Sequence, residues 1–277
     1  MNYIAYIVYG KNEGYFLGAK FSILSILANN ADELKIVVLT DNDNYFQSLP
    51  VTTLPLTQDE KDNWSLNDRY HFRIKNRGLD KIITALNLSN EDKIIAIDTD
   101  TYFQQPISPI FKAIDYKNST IFRNEGKIRE KSRFKVYKDA LDGNQFTTPN
   151  GQTYTLSKNA EMWGTLLWGF QVSNRHLLDK ADDIMLCLLE VVDSHTIEPF
   201  SLSESIKSEH NLFESKTYIL DYSTSGKKRH ALKIITKFFE SNSQLTWMEL
   251  AEKTKHLNLK RNLFSLLRSR YERYFLK

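Results

Sequence analysis

Two kinds of hydrophobic pattern alternate along the first 110 residues. "YIAYIVY" (3–9), "LKIVVLT" (34–40) and "KIIAID" (93–98) are continuous apolar runs suited to strands covered on both faces. "VTTLPL" (51–56) is a shorter candidate strand. Between these runs, Phe16, Leu17, Phe21, Leu24 and Leu27 recur at helical spacing, as do Leu79, Ile82, Ile83 and Leu86. Such alternation predicts an α/β fold, an open and mostly parallel sheet flanked by helices. Residues 123–160 are polar and irregular, with turn signals at Asp142-Gly143 and Asn150-Gly151, and read as an insertion or hairpin over a site. "LLWGFQVS" (166–173) resumes the sheet, and Leu177, Ala181, Ile184, Met185, Leu188 and Val192 mark an amphipathic helix. "TYILDY" (217–222) is a further strand, and Thr246 with Glu249 has capping-box spacing. Leu263, Phe264, Leu267, Tyr271, Tyr274 and Phe275 predict one face of a C-terminal helix.

The run at 93–98 ends in two carboxylates, Asp98 and Asp100, one residue apart. Ligands of open α/β sheets bind beyond the carboxyl ends of the strands. Alternate residues of a strand project to one side, so both carboxylates would aim the same way if the strand persists to Asp100. Like charges so close repel, and one takes up a proton unless a cation lies between them. A hard divalent ion, Mn²⁺ or Mg²⁺, shared with substrate phosphates resolves that conflict. The competing reading is a pair that caps the strand and opens the turn before Pro106.

Composition narrows the class without naming a chemistry. At 277 residues and 41% hydrophobic content the chain can bury a sizeable core, as one domain with or without an appended piece. There is no run of 18 apolar residues, and "MNYIAYIVYG" does not read as a signal peptide. A single cysteine, Cys187, lies in an apolar pattern, which excludes a disulfide framework or a cysteine zinc site and fits a cytoplasmic setting. The net charge of +3 hides an asymmetry: residues 226–277 carry +9 and residues 1–225 carry −6. An acidic body argues against nucleic acid as a partner.

"IAIDTDTYFQQPISPIF" resembles the Asp-X-Asp segment of metal-dependent bacterial glycosyltransferases with the A-type nucleotide-sugar fold. "YIVYGKNEGYFLGAKFSILSIL" resembles their opening strand, loop and helix. "YHFRIKNRGLDKIITAL" is similar to the helix before the metal strand, and "MWGTLLWGFQVSNRHLL" to a segment that usually reads Asn-Ser-Gly plus a strand. The likeness spans roughly residues 3–225, and it implies a catalytic domain over 1–225 with a basic helical extension over 226–277. It further implies transfer of a sugar from a nucleoside-diphosphate donor, with uridine the expected base, to a glycan or glycolipid such as lipopolysaccharide or capsule. Asp98 and Asp100 would hold the metal, with Asp221 or His230 from "ILDYSTSGKKRH" as third ligand. Tyr9 and Asn12 would contact base and ribose, and Thr99 would lie against the donor. The missing Asn-Ser-Gly and late histidine element depart from the pattern.

Other residues extend this picture. Arg73, Lys75 and Arg77 share one side if the segment is extended, whereas on a helix only Arg73 and Arg77 align, and arginine's planar fork favours those two for diphosphate. Gly226, Lys227, Lys228 and Arg229 read as a flexible basic loop able to close on a leaving diphosphate. Glu204 is the candidate for acid–base work, against the simpler reading of a helix-surface glutamate. The basic C-terminus suits either packing on the domain or docking on an anionic membrane surface, which would make the protein peripheral on the inner face of the cytoplasmic membrane. "IIAIDTDTY" also resembles the first motif of haloacid-dehalogenase-type phosphatases, with Asp98 as nucleophile, though that motif normally ends the first strand of the core. A non-catalytic sugar-binding module is the third alternative.

Overall fold

The structure, a computed structural model, describes residues 1–30, 34–157 and 159–261. The C-terminal helix expected from Leu263 to Phe275, including Arg268, Arg270 and Arg273, lies outside the described residues. The strands are β1 (Asn2–Val8), β2 (Lys35–Thr40), β3 (Thr52–Pro55), β4 (Lys93–Ile97), β5 (Thr101–Phe103), β6 (Asn118–Lys127), β7 (Gln145–Thr147), β8 (Thr153–Thr155), β9 (Glu161–Gln171), β10 (Asn211–Glu214) and β11 (Ile219–Asp221). The α-helices are α1 (Glu13–Asn29), α2 (Gln58–Trp64), α3 (Arg73–Ala85), α4 (Ser108–Ala113), α5 (Lys135–Leu141), α6 (His176–Leu188), α7 (Ile197–Lys207), α8 (Ser225–Ser241) and α9 (Trp247–Thr254).

Seven strands form the central sheet in the order β10-β6-β9-β4-β1-β2-β3. All neighbours run parallel except β9, which is antiparallel to both β4 and β6. The expected α/β class and mostly parallel sheet are therefore present, and the continuous apolar runs have the expected cause. Along β1, Ile4, Tyr6 and Val8 face the cluster beneath α1, α8 and α9, while Ala5 faces the cluster beneath α3, α6 and α7. A sheet buried on both sides leaves no polar face to alternate. Where Tyr6 brings a hydroxyl into this interior, Ser22 of α1 meets it at 2.7 Å.

The order β3-β2-β1-β4 reverses direction at β1/β4, because the chain leaves β1 toward one edge and reaches β4 on the other side. In sheets of this type that crevice, beyond the carboxyl ends of the two strands, is where ligands bind. Tyr9 and Asp98 are the first residues past β1 and β4.

Several local expectations change. The basic stretch 226–229 is not a loop: it is the first turn of α8, a helix of 17 residues. That helix and α9 pack on α1, and Ala231, Ile235, Phe238, Leu250, Ala251 and Leu259 join the same core as Ile4 and Tyr6. Residues up to Leu259 are thus continuous with the α/β body rather than appended to it. The polar segment 57–69 contains α2, opened by a Thr57–Glu60 capping box. The insertion forms α5 and the β7–β8 hairpin, and its Tyr137, Leu141 and Leu156 pack with Met185 and Leu188 of α6 in a separate cluster. Strand β11 pairs with β5 outside the main sheet. No helix among the described residues is long and apolar enough to cross a membrane.

Candidate functional site

Strand β4 ends at Ile97, so Asp98 and Asp100 do not share a strand face. A tight turn brings them together instead. The Asp98 N–H donates to Leu166 O at 2.9 Å, holding the turn to β9, and Thr101 Oγ1 donates to Asp98 O at 2.8 Å. Tyr222 closes it from the other side, its N–H donating to Asp100 O and its hydroxyl to Thr99 O. Gly18 of α1 permits this approach, since a Cβ there would stand 2.5 Å from the Thr99 carbonyl oxygen.

Gly18→Ala therefore pits a helix-propensity gain of about 1 kcal/mol against an overlap with backbone that cannot swing away. We expect a net loss of about 1–3 kcal/mol in urea denaturation, the range for an overpacked interior, as the Asp98–Asp100 turn is pushed away from α1.

The turn forms one wall of a cavity of about 360 Å³ at the β1/β4 crevice. Tyr9, Tyr15, His71 and Phe72 supply its other walls, and Lys75, Asp98, Thr99, Asp100, Ser223 and Lys228 its polar groups. Tyr9 and His71 also line an adjoining cavity of about 460 Å³ with Gly10, Lys11, Asp41 and Asn42. Together these make a two-part cleft over the crevice. Within it, Lys75 Nζ lies 2.5 Å from Asp98 Oδ1 and Lys228 Nζ 3.0 Å from Asp100 Oδ2. Lys228 also sits 4.9 Å from the centre of the Tyr15 ring. The repulsion anticipated from the sequence is thus met, in the protein alone, by one lysine for each aspartate.

A third carboxylate upsets that balance. Glu198, at the start of α7, is 1% exposed, accepts from Thr165 Oγ1 at 3.1 Å through Oε2, and leaves Oε1 without a hydrogen-bond partner. Burial pushes its carboxyl up to about 7; the Lys75 ammonium opposes this and Asp98 adds to it. Asp98 is likewise raised by burial, with Lys75 pulling it down and Asp100 pushing it up. Burial would depress the Lys75 ammonium, but Asp98, Glu198 and Asp100 outweigh it and hold it above the usual lysine value. Three acids therefore face two lysines, and Asp100 Oδ1 is buried without a partner.

The expected residues divide clearly. Tyr9, Asp98, Thr99, Asp100 and Lys228 converge on the cleft. Arg73 and Arg77 do not, because the segment is helical and both turn toward α6. Arg73 forms a fork with Asp182 at 2.6 and 2.7 Å, and Arg77 reaches Asp179 at 3.5 Å. Lys75, two residues along and so on the opposite helix face, takes the place expected for the arginines. The Asn12 side chain caps α1 by accepting from Gly14 N. The Asp221 carboxylate accepts from Ser223 and Lys227 and lines a different cavity, as does Lys227. His230 lines a shallow groove beside α8. Among the described residues, no three His, Cys, Asp or Glu side chains converge to hold a metal ion.

Glu204 accepts from Tyr154 Oη at 3.3 Å beneath the insertion, and burial pushes its carboxyl up to about 7. It is away from the cleft, and none of the described residues of the insertion lines the 360 Å³ cavity. Glu198 carries no sequence signal, since "TIEPFS" contains no motif, and the packing of α7 on β9 brings it near Lys75. No known protein-family profile matches this chain, and no curated protein is detectably similar to it.

Proposed function

We propose that the protein is a metal-dependent glycosyltransferase that takes a nucleoside-diphosphate sugar, a uridine donor first among them, and passes the sugar to a glycan or glycolipid hydroxyl. The observation that carries this reading is the Asp98–Asp100 turn at the β1/β4 crevice, where two carboxylates, one of them with a buried unpartnered oxygen, and two lysines line one cavity. The sheet order and its flanking helices are compatible with the A-type nucleotide-sugar fold that the sequence resembles.

The donor set fits a hard divalent ion. Mg²⁺ typically takes one or two carboxylates and completes its shell with water and phosphate oxygens, which a two-aspartate site allows without a third protein ligand. Bound there, Mn²⁺ or Mg²⁺ would neutralise charge on the leaving diphosphate. The protein's own groups do the rest. Lys75 and Lys228, no longer needed by the aspartates, turn their ammonium groups to the phosphate oxygens. Tyr9, with His71, marks the passage between the two cavities, which divides the cleft into a nucleoside part and a sugar part. Glu198, 1% exposed and absent from the lining of both cavities, bears on the site through its charge beside Lys75 and Asp98.

The test is thermal stabilisation by UDP and UDP-sugars with and without Mn²⁺, alongside slow donor hydrolysis in the absence of acceptor. We expect Mn²⁺-dependent stabilisation, lost in Asp100→Asn, a change that keeps shape and removes the charge. Hydrolysis of small phosphate esters without nucleotide binding would instead support the phosphatase reading, and binding without turnover the sugar-binding module.

A further inference from the structure

A second and larger cavity, of about 640 Å³, lies across the wall formed by residues 221–228 from the donor cleft. Asp221, Tyr222, Thr224 and Lys227 line this cavity, whereas Ser223 and Lys228 line the other. Its floor is apolar, built from Tyr102 of β5, Phe122 of β6, Ile219 and Leu220 of β11, and Leu259. Its rim carries five cationic side chains, Arg123, Lys216, Lys227, Lys260 and Arg261; Arg123 is already paired with Glu125 at 3.0 Å, and the one carboxylate in the lining is that of Asp221. That carboxylate already faces Lys227 at 3.5 Å, and Lys216 and Lys260 have no ion pair among the described residues. A cavity of this size holds a small-molecule ligand, and a cationic rim over an apolar floor selects one that is anionic at one end and apolar at the other.

We propose that this cavity binds a phosphorylated amphiphile, the phosphate at the cationic rim and the apolar portion on the Phe122–Leu259 floor. If the transferase reading holds, on which only this clause rests, the ligand is the lipid-phosphate end of the acceptor. The shared wall would then deliver its glycan to the donor cleft. The recognition chemistry itself needs no transfer reaction.

The full chain is titrated calorimetrically with butyl, hexyl and octyl phosphate, all below micelle formation, beside inorganic phosphate and octyl glucoside. Each added methylene should tighten binding about fourfold, the value of burying one methylene group. Inorganic phosphate and octyl glucoside should each bind at least tenfold more weakly than octyl phosphate. Lys216→Glu/Lys260→Glu should weaken octyl phosphate at least tenfold while leaving stabilisation by UDP with Mn²⁺ unchanged. A flat chain-length series, or octyl glucoside equal to octyl phosphate, overturns the proposal on the native protein alone. So does equal binding by the charge-reversal variant, or binding to phosphatidylglycerol vesicles without binding to monomeric octyl phosphate. Loss of the UDP response with alkyl-phosphate binding intact would remove only the transferase reading.

Discussion

Replacing Lys75 by methionine is expected to cost about 3 kcal/mol of stability at pH 7. The side chain pairs with Asp98 and is further held charged by Glu198, and Met keeps its length while removing the charge. Breaking a buried ion pair from one side costs about 3–5 kcal/mol, because the remaining charge is left uncompensated. The lower end applies here, since Lys75 and Asp98 remain 22% and 23% exposed. The loss should shrink as the pH falls. Asp98 and Glu198 have raised carboxyls, and without the ammonium they rise further, so acid protonates them and relieves the repulsion. Urea denaturation at pH 7 and pH 5 checks this, and Lys75→Met/Asp98→Asn should recover at least half of the loss if the pair is the cause. Arg73→Met breaks a more deeply buried pair with Asp182 and should destabilise at least as much, but it should leave nucleotide stabilisation intact. Equal effects of both substitutions on nucleotide binding would mean that Lys75 acts only through the fold.

The contrast between Lys75 and Arg73 shows where sequence reading runs out. Strands β1, β2 and β4 and helices α1 and α6 were legible because a sheet covered on both faces needs unbroken apolar runs, and its covering helices need a 3.6-residue stripe. The Asp98–Asp100 pair was legible for the related reason that carboxylates are costly at the end of an apolar run. What failed was phase. On α3, which starts at Arg73, Arg73 and Arg77 align as a helix requires, but their shared face points to α6, and Lys75 on the opposite face reaches the crevice. The basic stretch at 226–229 reads as a loop because the stripe of α8 becomes visible only from Ala231. Strand β10, of four residues, is too short to carry a pattern, whereas β11 falls within the expected run 217–222. The reversed direction of β9 leaves no trace in composition, because a strand flanked on both sides is equally apolar either way. Glu198 is hidden for a different reason. Its environment comes from Tyr70, Thr165 and Lys75, residues 33 to 128 positions away.

Glu198→Gln should separate what that carboxylate does for the site from what it costs the fold. The folded-state carboxyl titrates at about 7 against an ordinary value of 4.5. The native state therefore binds its proton more tightly than the unfolded chain does. Stability from this group is fully present below about pH 4.5, declines as the pH rises from there, and is lost above about pH 7. At 1.36 kcal/mol per unit, the buried charge costs roughly 3 kcal/mol at pH 8. Glutamine keeps the hydrogen bond with Thr165 within reach and removes the charge. The variant should be more stable than the parent by about 2–3 kcal/mol at pH 8 in metal-free buffer, and equal to it near pH 4. Its donor hydrolysis or sugar transfer should fall about tenfold, the effect of losing roughly 1.4 kcal/mol of interaction with Lys75 at the site. A carboxylate kept only for packing would give the stability gain without the loss of turnover. One kept only to compensate Lys75 would give neither, because neutralising it would remove a charge that holds the ammonium and destabilise the protein at pH 8.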